Sequence, residues 1–223
     1  MKPSQRNALL AVATVLLAAP ASAQAPSLAG EQSQPVSRFS LSPYFGIVYP
    51  TADLLSLGAG TTAQDIKLST AITVGGRLGV MFSSHVGLMA DVGYSPGSLE
   101  YAASQIATNT DITTLTGVGK LVVYVIPADK WVSFSVSGGA GMIQHKFKKG
   151  GAAALSGLKD GTNVGGVVGA TLGIRLGKII SLTGSVEDYL YNASFDNNGS
   201  KTAERKQNDL RFTGGIHLPF IGM

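Results

Sequence analysis

Apolar and polar positions alternate along most of the chain that follows residue 37. Between Ile72 and Phe82, for example, apolar residues hold most even-numbered positions, and Thr, Gly and Arg hold most odd-numbered ones. A period of two is typical of β-strands, whose successive side chains point to opposite faces of a sheet. The pattern predicts eight strands, each with one apolar face: 39–49, 72–82, 86–95, 114–125, 132–142, 163–176, 180–190 and 210–220.

The predicted connections between these strands alternate in length. The long ones are rich in Gly, Asn, Asp, Ser, Thr and Lys and cover 50–65, 96–111, 147–162 and 192–208. The short ones are tight turns at 83–85, 127–130 and 177–179. Because the connections alternate between long loops and tight turns, the chain is predicted to form an antiparallel up-and-down meander.

The composition of the polar faces indicates which side of the sheet meets water. A closed meander is either a soluble barrel with an apolar interior or a membrane barrel with an apolar exterior. Here the polar faces are mainly Gly, Ser and Thr with isolated charges, whereas a water-facing exterior should be rich in charged residues. Small side chains suit the narrow lumen of eight strands. We predict an eight-stranded antiparallel up-and-down transmembrane β-barrel, with a soluble periplasmic ligand-binding barrel as a less favoured alternative.

Strand length and aromatic residues support a membrane barrel. The alternating segments run to roughly 10–14 residues, and a tilted membrane strand needs about 9–11. Aromatic residues lie near both ends of the strands, where a membrane barrel carries interfacial girdles. They are Phe82, Trp131 and Phe220 at the turn end, and Tyr49 and Tyr94 at the loop end.

The N-terminal residues indicate export. Lys2 and Arg6 precede an apolar segment at 8–19, and a small-residue cleavage site ends at Ala23, as in a secretory signal peptide. We therefore expect a signal peptide at 1–23, a flexible periplasmic leader at 24–37 and a barrel at 38–223. Loss of two basic residues leaves a small net charge, which does not favour nucleic acid as a partner. Without cysteine the chain has no disulfide framework.

Three segments carry a resemblance to a known family: FSLSPYFGIVYP at 39–50, Gly-rich strands such as GVVGATLGIRLG in the 165–177 region, and DLRFTGGIHLPF at 209–220. Together they resemble the small eight-stranded outer-membrane barrel superfamily that includes the OmpA transmembrane domain and OmpX. Members usually end on an aromatic residue that the barrel-assembly machinery reads, whereas here Phe220 is followed by three more residues. We expect no peptidoglycan-binding domain after it.

The resemblance implies a location and partners. It implies an integral protein of the outer membrane, with both termini in the periplasm and the four long loops outside the cell. The implied partners are outer-membrane lipid, lipopolysaccharide and, during insertion, the barrel-assembly machinery, and we expect a monomer. The implied role is non-enzymatic, in membrane integrity or surface interaction, with the loops as the working surface.

Six charged residues fall on the polar, inward faces: Arg77, Asp91, Lys120, Arg175, Glu187 and Arg211. If strands pair symmetrically about Ser84, Arg77 lies opposite Asp91. The same symmetry about Gly199 places Glu187 opposite Arg211. Because a lone charge in a narrow lumen is costly and a paired one is tolerated, these residues are predicted to form a lumen charge network.

Two roles remain open for this network. It is either a structural plug that fills the barrel or part of a narrow channel for small solutes, since ionisable residues inside a membrane often mark a pathway. Eight strands leave little open lumen, which favours the plug.

The sequence offers little for catalysis or for a cofactor. His85, His145 and His217 fall at different heights of the barrel, so they are not expected to share a catalytic or metal site, and His145 is predicted to be an interfacial polar residue. We expect no enzymatic activity, no metal and no cofactor. Basic residues in two long loops either meet anionic lipopolysaccharide or are simply solvated: Lys146, Lys148, Lys149, Lys201, Arg205 and Lys206.

Overall fold

The structure is a computed structural model that describes residues 39–57, 64–101, 107–148, 157–177, 180–197 and 199–220. These residues all belong to one compact unit. The predicted signal peptide and leader lie outside the described residues. No helix in the described part of the chain is long and apolar enough to cross a membrane.

All regular structure in the described residues is β. There are eight long strands and two pairs of short ones, and in chain order they are β1 (Phe39–Pro50), β2 (Asp53–Leu57), β3 (Gln64–Leu68), β4 (Ala71–Met81), β5 (Val86–Tyr101), β6 (Ala107–Ile126), β7 (Val132–Phe147), β8 (Gly161–Arg175), β9 (Ser181–Ala193), β10 (Asp196–Asn197), β11 (Ser200–Lys201) and β12 (Arg205–Phe220).

The eight long strands close into a barrel. Each pairs antiparallel with its neighbour along the chain, and the first strand pairs both with β4, where Ser42 lies opposite Arg77, and with β12, where Val48 lies opposite Arg211. Closure removes the free sheet edges that would leave backbone groups unsatisfied in lipid. The predicted eight-stranded antiparallel barrel is confirmed.

Tight turns set the register of the hairpins. Between β4 and β5, the Phe82 N–H donates to the Val86 carbonyl at 2.9 Å, and the Ser83 hydroxyl accepts the N–H groups of His85 and Val86 at 3.2 and 3.1 Å. Serine hydroxyls commonly stabilise turns in this way. The turn is symmetrical about Ser84, so Arg77 lies opposite Asp91.

The long connections contain more strand than predicted. Residues 50–65 and 96–111 were expected to be loops, but they include β2, the start of β3, the last six residues of β5 and the first five of β6. The β5–β6 ladder continues to Glu100 opposite Ala107, beyond a bulge between Ser98 and Glu100 where the register shifts. The β2–β3 hairpin joins β5, so the barrel wall extends beyond the predicted strands at the loop end.

A second short hairpin, β10–β11, lies in the last long connection. Gly199 has φ of +87°, a conformation that side chains other than glycine rarely adopt. Its N–H donates to Asp196 Oδ1 at 2.7 Å. This hydrogen bond is the largest cause of a lowered pKa of the Asp196 carboxyl, and the hydrogen bond from Lys159 is the second largest.

The two faces of the barrel differ as predicted. Outward side chains are apolar and exposed, among them Phe45, Val164 and Leu78, and this face is available to lipid. An exposed apolar exterior of this extent is unlike a soluble ligand-binding barrel. The structure exposes Phe82, Trp131, Tyr49 and Tyr94 on the exterior; their role as girdles stays a prediction. The side chain of Phe220 lies outside the described residues.

The lumen is not uniformly polar. Toward the turns it holds buried hydroxyl groups such as those of Ser40, Ser42 and Ser135. Toward the loops it is filled by buried apolar residues, which we call the apolar cluster: Leu54, Ile66, Leu68, Leu99, Ile112, Val118, Ile143, Leu158, Val167, Tyr189, Tyr191, Ala193 and Phe195. The polar charged plug that was expected to fill the lumen does not extend into the loop half of the barrel. β2 and β3 supply apolar side chains there, and apolar residues occupy inward positions of the long strands.

Candidate functional site

Five of the six charged residues predicted for the lumen meet near the middle of the barrel. They are Arg77, Asp91, Lys120, Glu187 and Arg211, and we call them the ionic layer. No side chain of the layer is more than 4% exposed. They come from five different long strands, β4, β5, β6, β9 and β12, so the layer ties opposite walls of the barrel together.

Asp91 is surrounded by cations. Its Oδ2 atom accepts Arg77 Nε at 2.9 Å, Lys120 Nζ at 2.8 Å and Arg211 Nη2 at 2.8 Å. Its Oδ1 atom accepts the Tyr44 hydroxyl at 2.8 Å. A buried carboxylate with this many donors stays ionised without an uncompensated charge.

Glu187 contacts the same three cations from the opposite wall. Its Oε1 atom accepts Lys120 Nζ at 2.6 Å and Arg77 Nη2 at 3.2 Å. Its Oε2 atom accepts Arg211 Nη2 at 2.6 Å and the Tyr189 hydroxyl at 3.1 Å. Glu187 and Asp91 are thus bridged by every cation of the layer, so the network is continuous across the lumen.

The two guanidinium groups are also held by hydroxyls and aromatic rings. Arg77 donates to Ser185 at 2.8 Å and to Thr213 at 3.0 Å. The carbon atoms at the centres of the Arg77 and Arg211 guanidinium groups lie 4.5 and 5.1 Å from the centre of the Tyr44 ring. Such cation–π contacts are strongest where water is excluded.

Glycine leaves room for the layer. A Cβ atom on Gly93 would lie 2.7 Å from Arg211 Nη1, 2.6 Å from the Thr116 hydroxyl and 2.9 Å from the Tyr44 hydroxyl. These distances are far below van der Waals contact. The absence of a side chain at Gly93 therefore allows Arg211 to reach across to Asp91.

Arg175 does not belong to the ionic layer. Its side chain faces inward as predicted, but its Nη2 atom donates to the Ala128 carbonyl at 2.8 Å, at the turn between β6 and β7. In β8, Gly169 lies opposite Glu187 and Arg175 lies six residues further toward the turns, about 20 Å along the strand. The alternation of the sequence indicated the right face but not the height.

The three histidines lie far apart, and one differs from its prediction. His85 is exposed in a turn, and His217 Nδ1 lies 2.9 Å from the Ser42 hydroxyl in the turn half. His145 is fully buried against Tyr191 and Phe195, so the prediction of an interfacial residue is wrong. It faces inward on β7, where the apolar cluster excludes water. In the described residues, no three His, Cys, Asp or Glu side chains are grouped as metal ligands would be.

A cavity lies in the lumen on the loop side of the ionic layer. It is partly open to solvent. Arg211 and Tyr189 line it at the level of the layer, and Leu68, Ile112 and Ile143 contribute apolar walls. The sequence analysis did not predict this cavity, because its walls combine residues of β3 with those of distant strands.

Comparisons with known proteins identify a family and similar solved structures. Residues 10–152 match the family model described as the outer membrane protein beta-barrel domain. None of the curated protein sequences matches the chain. The barrel is similar to the outer membrane protein OprG from Pseudomonas aeruginosa, with 16% identity over 84% of this chain and 97% of that one and a TM-score of 0.56.

Two further solved structures have the same fold. The outer membrane protein AlkL is 14% identical over 89% of this chain and 98% of that one, with a TM-score of 0.59. Neisserial surface protein A is 10% identical over 84% of this chain and 100% of that one, with a TM-score of 0.50. Structural matches at these identities indicate the fold alone. The family model, however, covers more than half of the chain, and the chain therefore belongs to the outer membrane protein beta-barrel domain family.

Proposed function

We propose that this outer-membrane barrel has a structural or surface-interaction role, without enzymatic activity, and that the ionic layer closes its lumen. The observation that carries the proposal is the burial of five ionised side chains that bridge one another across the barrel. Every charge in the layer has a partner of opposite sign. A solute that passed through the lumen would have to break these ion pairs and would leave buried charges uncompensated.

The loop end supplies the surface for interaction in this proposal. With both termini in the periplasm, the loop end faces the cell exterior. Several basic residues there are paired with carboxylates: Lys148 with Asp111 at 3.3 Å and Lys159 with Asp196 at 3.2 Å. Exposed surface pairs are weak, so these cations remain able to exchange partners with anionic lipopolysaccharide.

Ion conductance tests the closed lumen. Purified protein in a planar lipid bilayer should give no steady open-channel current, because the ionic layer blocks the route for hydrated ions. Lys148→Ala, which removes an exposed lysine of the loop end, serves as the control for changes in surface charge. A steady current in the wild type that changes with Lys120→Ala, and not with Lys148→Ala, would show that the layer lines an open path instead.

The second candidate function is a narrow channel for small solutes. The cavity favours it, since it reaches the ionic layer from the loop side and is partly open to solvent. A channel would require the layer to rearrange and open. The same bilayer experiment separates the two functions, because only a channel predicts steady wild-type current.

A further inference from the structure

Asp188 is an ionisable residue on the exterior of the barrel. It follows Glu187 in β9, and successive side chains of a strand point to opposite faces, so Asp188 faces outward while Glu187 faces the lumen. Its ladder partners are Val168 of β8 and Leu210 of β12, two apolar residues of the same exterior. An ionisable group on the lipid-facing wall of a barrel is costly. Such a group therefore requires a polar partner.

The apolar exterior extends past Asp188 toward the loops. Val168 lies opposite Asp188, and Val164, four residues closer to the loop end of the same strand, is 75% exposed. On β9 itself the apolar exterior ends with Leu190, and the next outward residue is the exposed Asn192. Asp188 thus lies inside the lipid-facing band, near its loop-side border. It is below the level at which lipid head groups begin.

The protein satisfies this carboxyl only in part. Its Oδ1 atom is covered by protein and has no hydrogen-bond partner among the described residues. The side-chain amide of Asn208 lies beside the carboxyl, but Asp188 takes part in none of the ion pairs that the described residues form. Asp188 as a whole is half-buried, and its Oδ2 atom is not covered in the same way. This oxygen is open to the surrounding lipid.

The depth of Asp188 decides which donor can reach it. An aspartate side chain is too short to extend to the head groups, unlike the long side chains of lysine and arginine. A donor must therefore be carried by the acyl chain, where a hydroxyl group is the simplest uncharged one, and hydrogen bonds to a carboxylate are strong. We propose that Asp188 binds a lipid of the outer leaflet through a hydroxyl group on its acyl chain, which donates to Oδ2.

The inference narrows the lipid partner of the proposed function. The choice of the outer leaflet rests on the orientation given there, with the loop end outside the cell. Conductance tests the closed lumen and does not involve Asp188, which lies on the exterior. The lipid test below uses nanodiscs in which both leaflets carry the probe, so its result does not depend on orientation. The two proposals therefore fail separately.

Two probes that differ by one hydroxyl group test the donor requirement. They are methyl 3-hydroxymyristate and methyl myristate, each added in increasing amounts to nanodiscs of phosphatidylcholine that contain the full chain. The aspartate side-chain carboxyl carbons are labelled with carbon-13. The NMR signal of Asp188 is assigned by its loss in Asp188→Leu, and its shift follows binding.

The expected result is a saturable shift of the Asp188 signal with the hydroxy ester. The plain ester should be at least about tenfold weaker, as when one hydrogen bond to a charged acceptor is missing. Equal responses to the two esters, or no saturable response to either, would overturn the proposal. Replacing phosphatidylcholine with phosphatidylethanolamine should leave the signal in place. A shift there, with none from the hydroxy ester, would mean that a head-group ammonium reaches Asp188, and would also overturn it.

A pair of variants assigns the preference to Asp188. For both, binding is followed by the labelled methyl groups of Val164 and Val168. Asp188→Leu should bind the two esters equally, whereas Glu204→Leu, which removes an exposed carboxylate of the loop end, should keep the preference for the hydroxy ester. A preference that persists in folded Asp188→Leu would contradict the assignment. If that variant does not migrate as a folded barrel on a gel, the comparison of the two esters in the wild type decides.

Discussion

The ionic layer and the apolar cluster fill adjoining parts of one lumen in opposite ways. The layer consists of ionised groups whose stability depends on complete pairing, as the contacts of Asp91 and Glu187 show. The cluster consists of apolar side chains whose stability depends on excluding water, and it leaves buried polar atoms of His145 and Asp209 unpaired. The comparison teaches that charged groups occur in this lumen where each has partners of opposite sign, whereas the apolar half leaves some buried polar atoms without hydrogen bonds among the described residues.

The largest predicted effect comes from a substitution that breaks the ion pairs of the ionic layer. Asp91→Asn retains the shape of the side chain but leaves three cations facing Glu187 alone. The free energy of unfolding should fall by about 3–5 kcal/mol, as when a buried ion pair loses one partner. Urea unfolding in lipid vesicles, followed by the gel migration of the folded barrel, measures the change.

The control for this variant is Asp111→Asn, which removes the exposed pair with Lys148. There the loss should be about 0–1 kcal/mol, the usual worth of an exposed ion pair. Equal losses in the two variants would mean that burial adds nothing to the layer, contrary to our account.

A smaller effect is expected from crowding the layer without changing its charge. Gly93→Ala places a methyl group against Arg211 Nη1, Thr116 and Tyr44. Inserting a methyl group into a well-packed site costs about 1–3 kcal/mol. Gly76→Ala is the matched control, because a Cβ there meets nothing within 4 Å. If Gly93→Ala were as stable as Gly76→Ala, the layer would be looser than the contacts indicate.

The smallest effect concerns the apolar cluster. Ile143 is 2% exposed in the lumen, whereas Ile72 is 66% exposed on the exterior. Ile143→Val should destabilise the barrel by about 0.5–1.5 kcal/mol because it leaves a small cavity. Ile72→Val should cost less, since lipid fills the space of the lost methylene. The same unfolding assay compares them, and a greater loss at Ile72 would contradict a packed loop half.

The ionic layer was largely predictable because its geometry is local. The tight turn about Ser84 sets the β4–β5 register, so the equal spacing of Arg77 and Asp91 from that turn is enough to place them opposite each other. The same reasoning places Glu187 opposite Arg211 across the last hairpin. The relative height of residues on strands that are not adjacent was not predictable, because the stagger between neighbouring strands accumulates around a barrel. The misplacement of Arg175 has this cause.

The loop half could not be derived from alternation alone. Leu54, Ile66 and Leu68 lie in or just after the predicted polar loop 50–65, and the pairing of β2 with β3 and of β3 with β5 brings them inside the barrel. One sequence feature did indicate the cluster. Ile112 and Ile143 lie one or two residues beyond the predicted strands 114–125 and 132–142, at positions that continue the alternation of their inward faces toward the loops.

The most direct test of a closed lumen is solvent exchange of the arginine Nε–H protons, measured by NMR on the reconstituted barrel. The Nε–H groups of Arg77 and Arg211 donate to Asp91 and Glu187 inside the layer, whereas the Arg205 side chain is 34% exposed. We predict that both layer protons exchange at least about tenfold more slowly than that of Arg205, since buried hydrogen bonds must open before exchange. Exchange of Arg77 and Arg211 as fast as that of Arg205 would show that water reaches the layer, and would contradict closure of the barrel by these five residues.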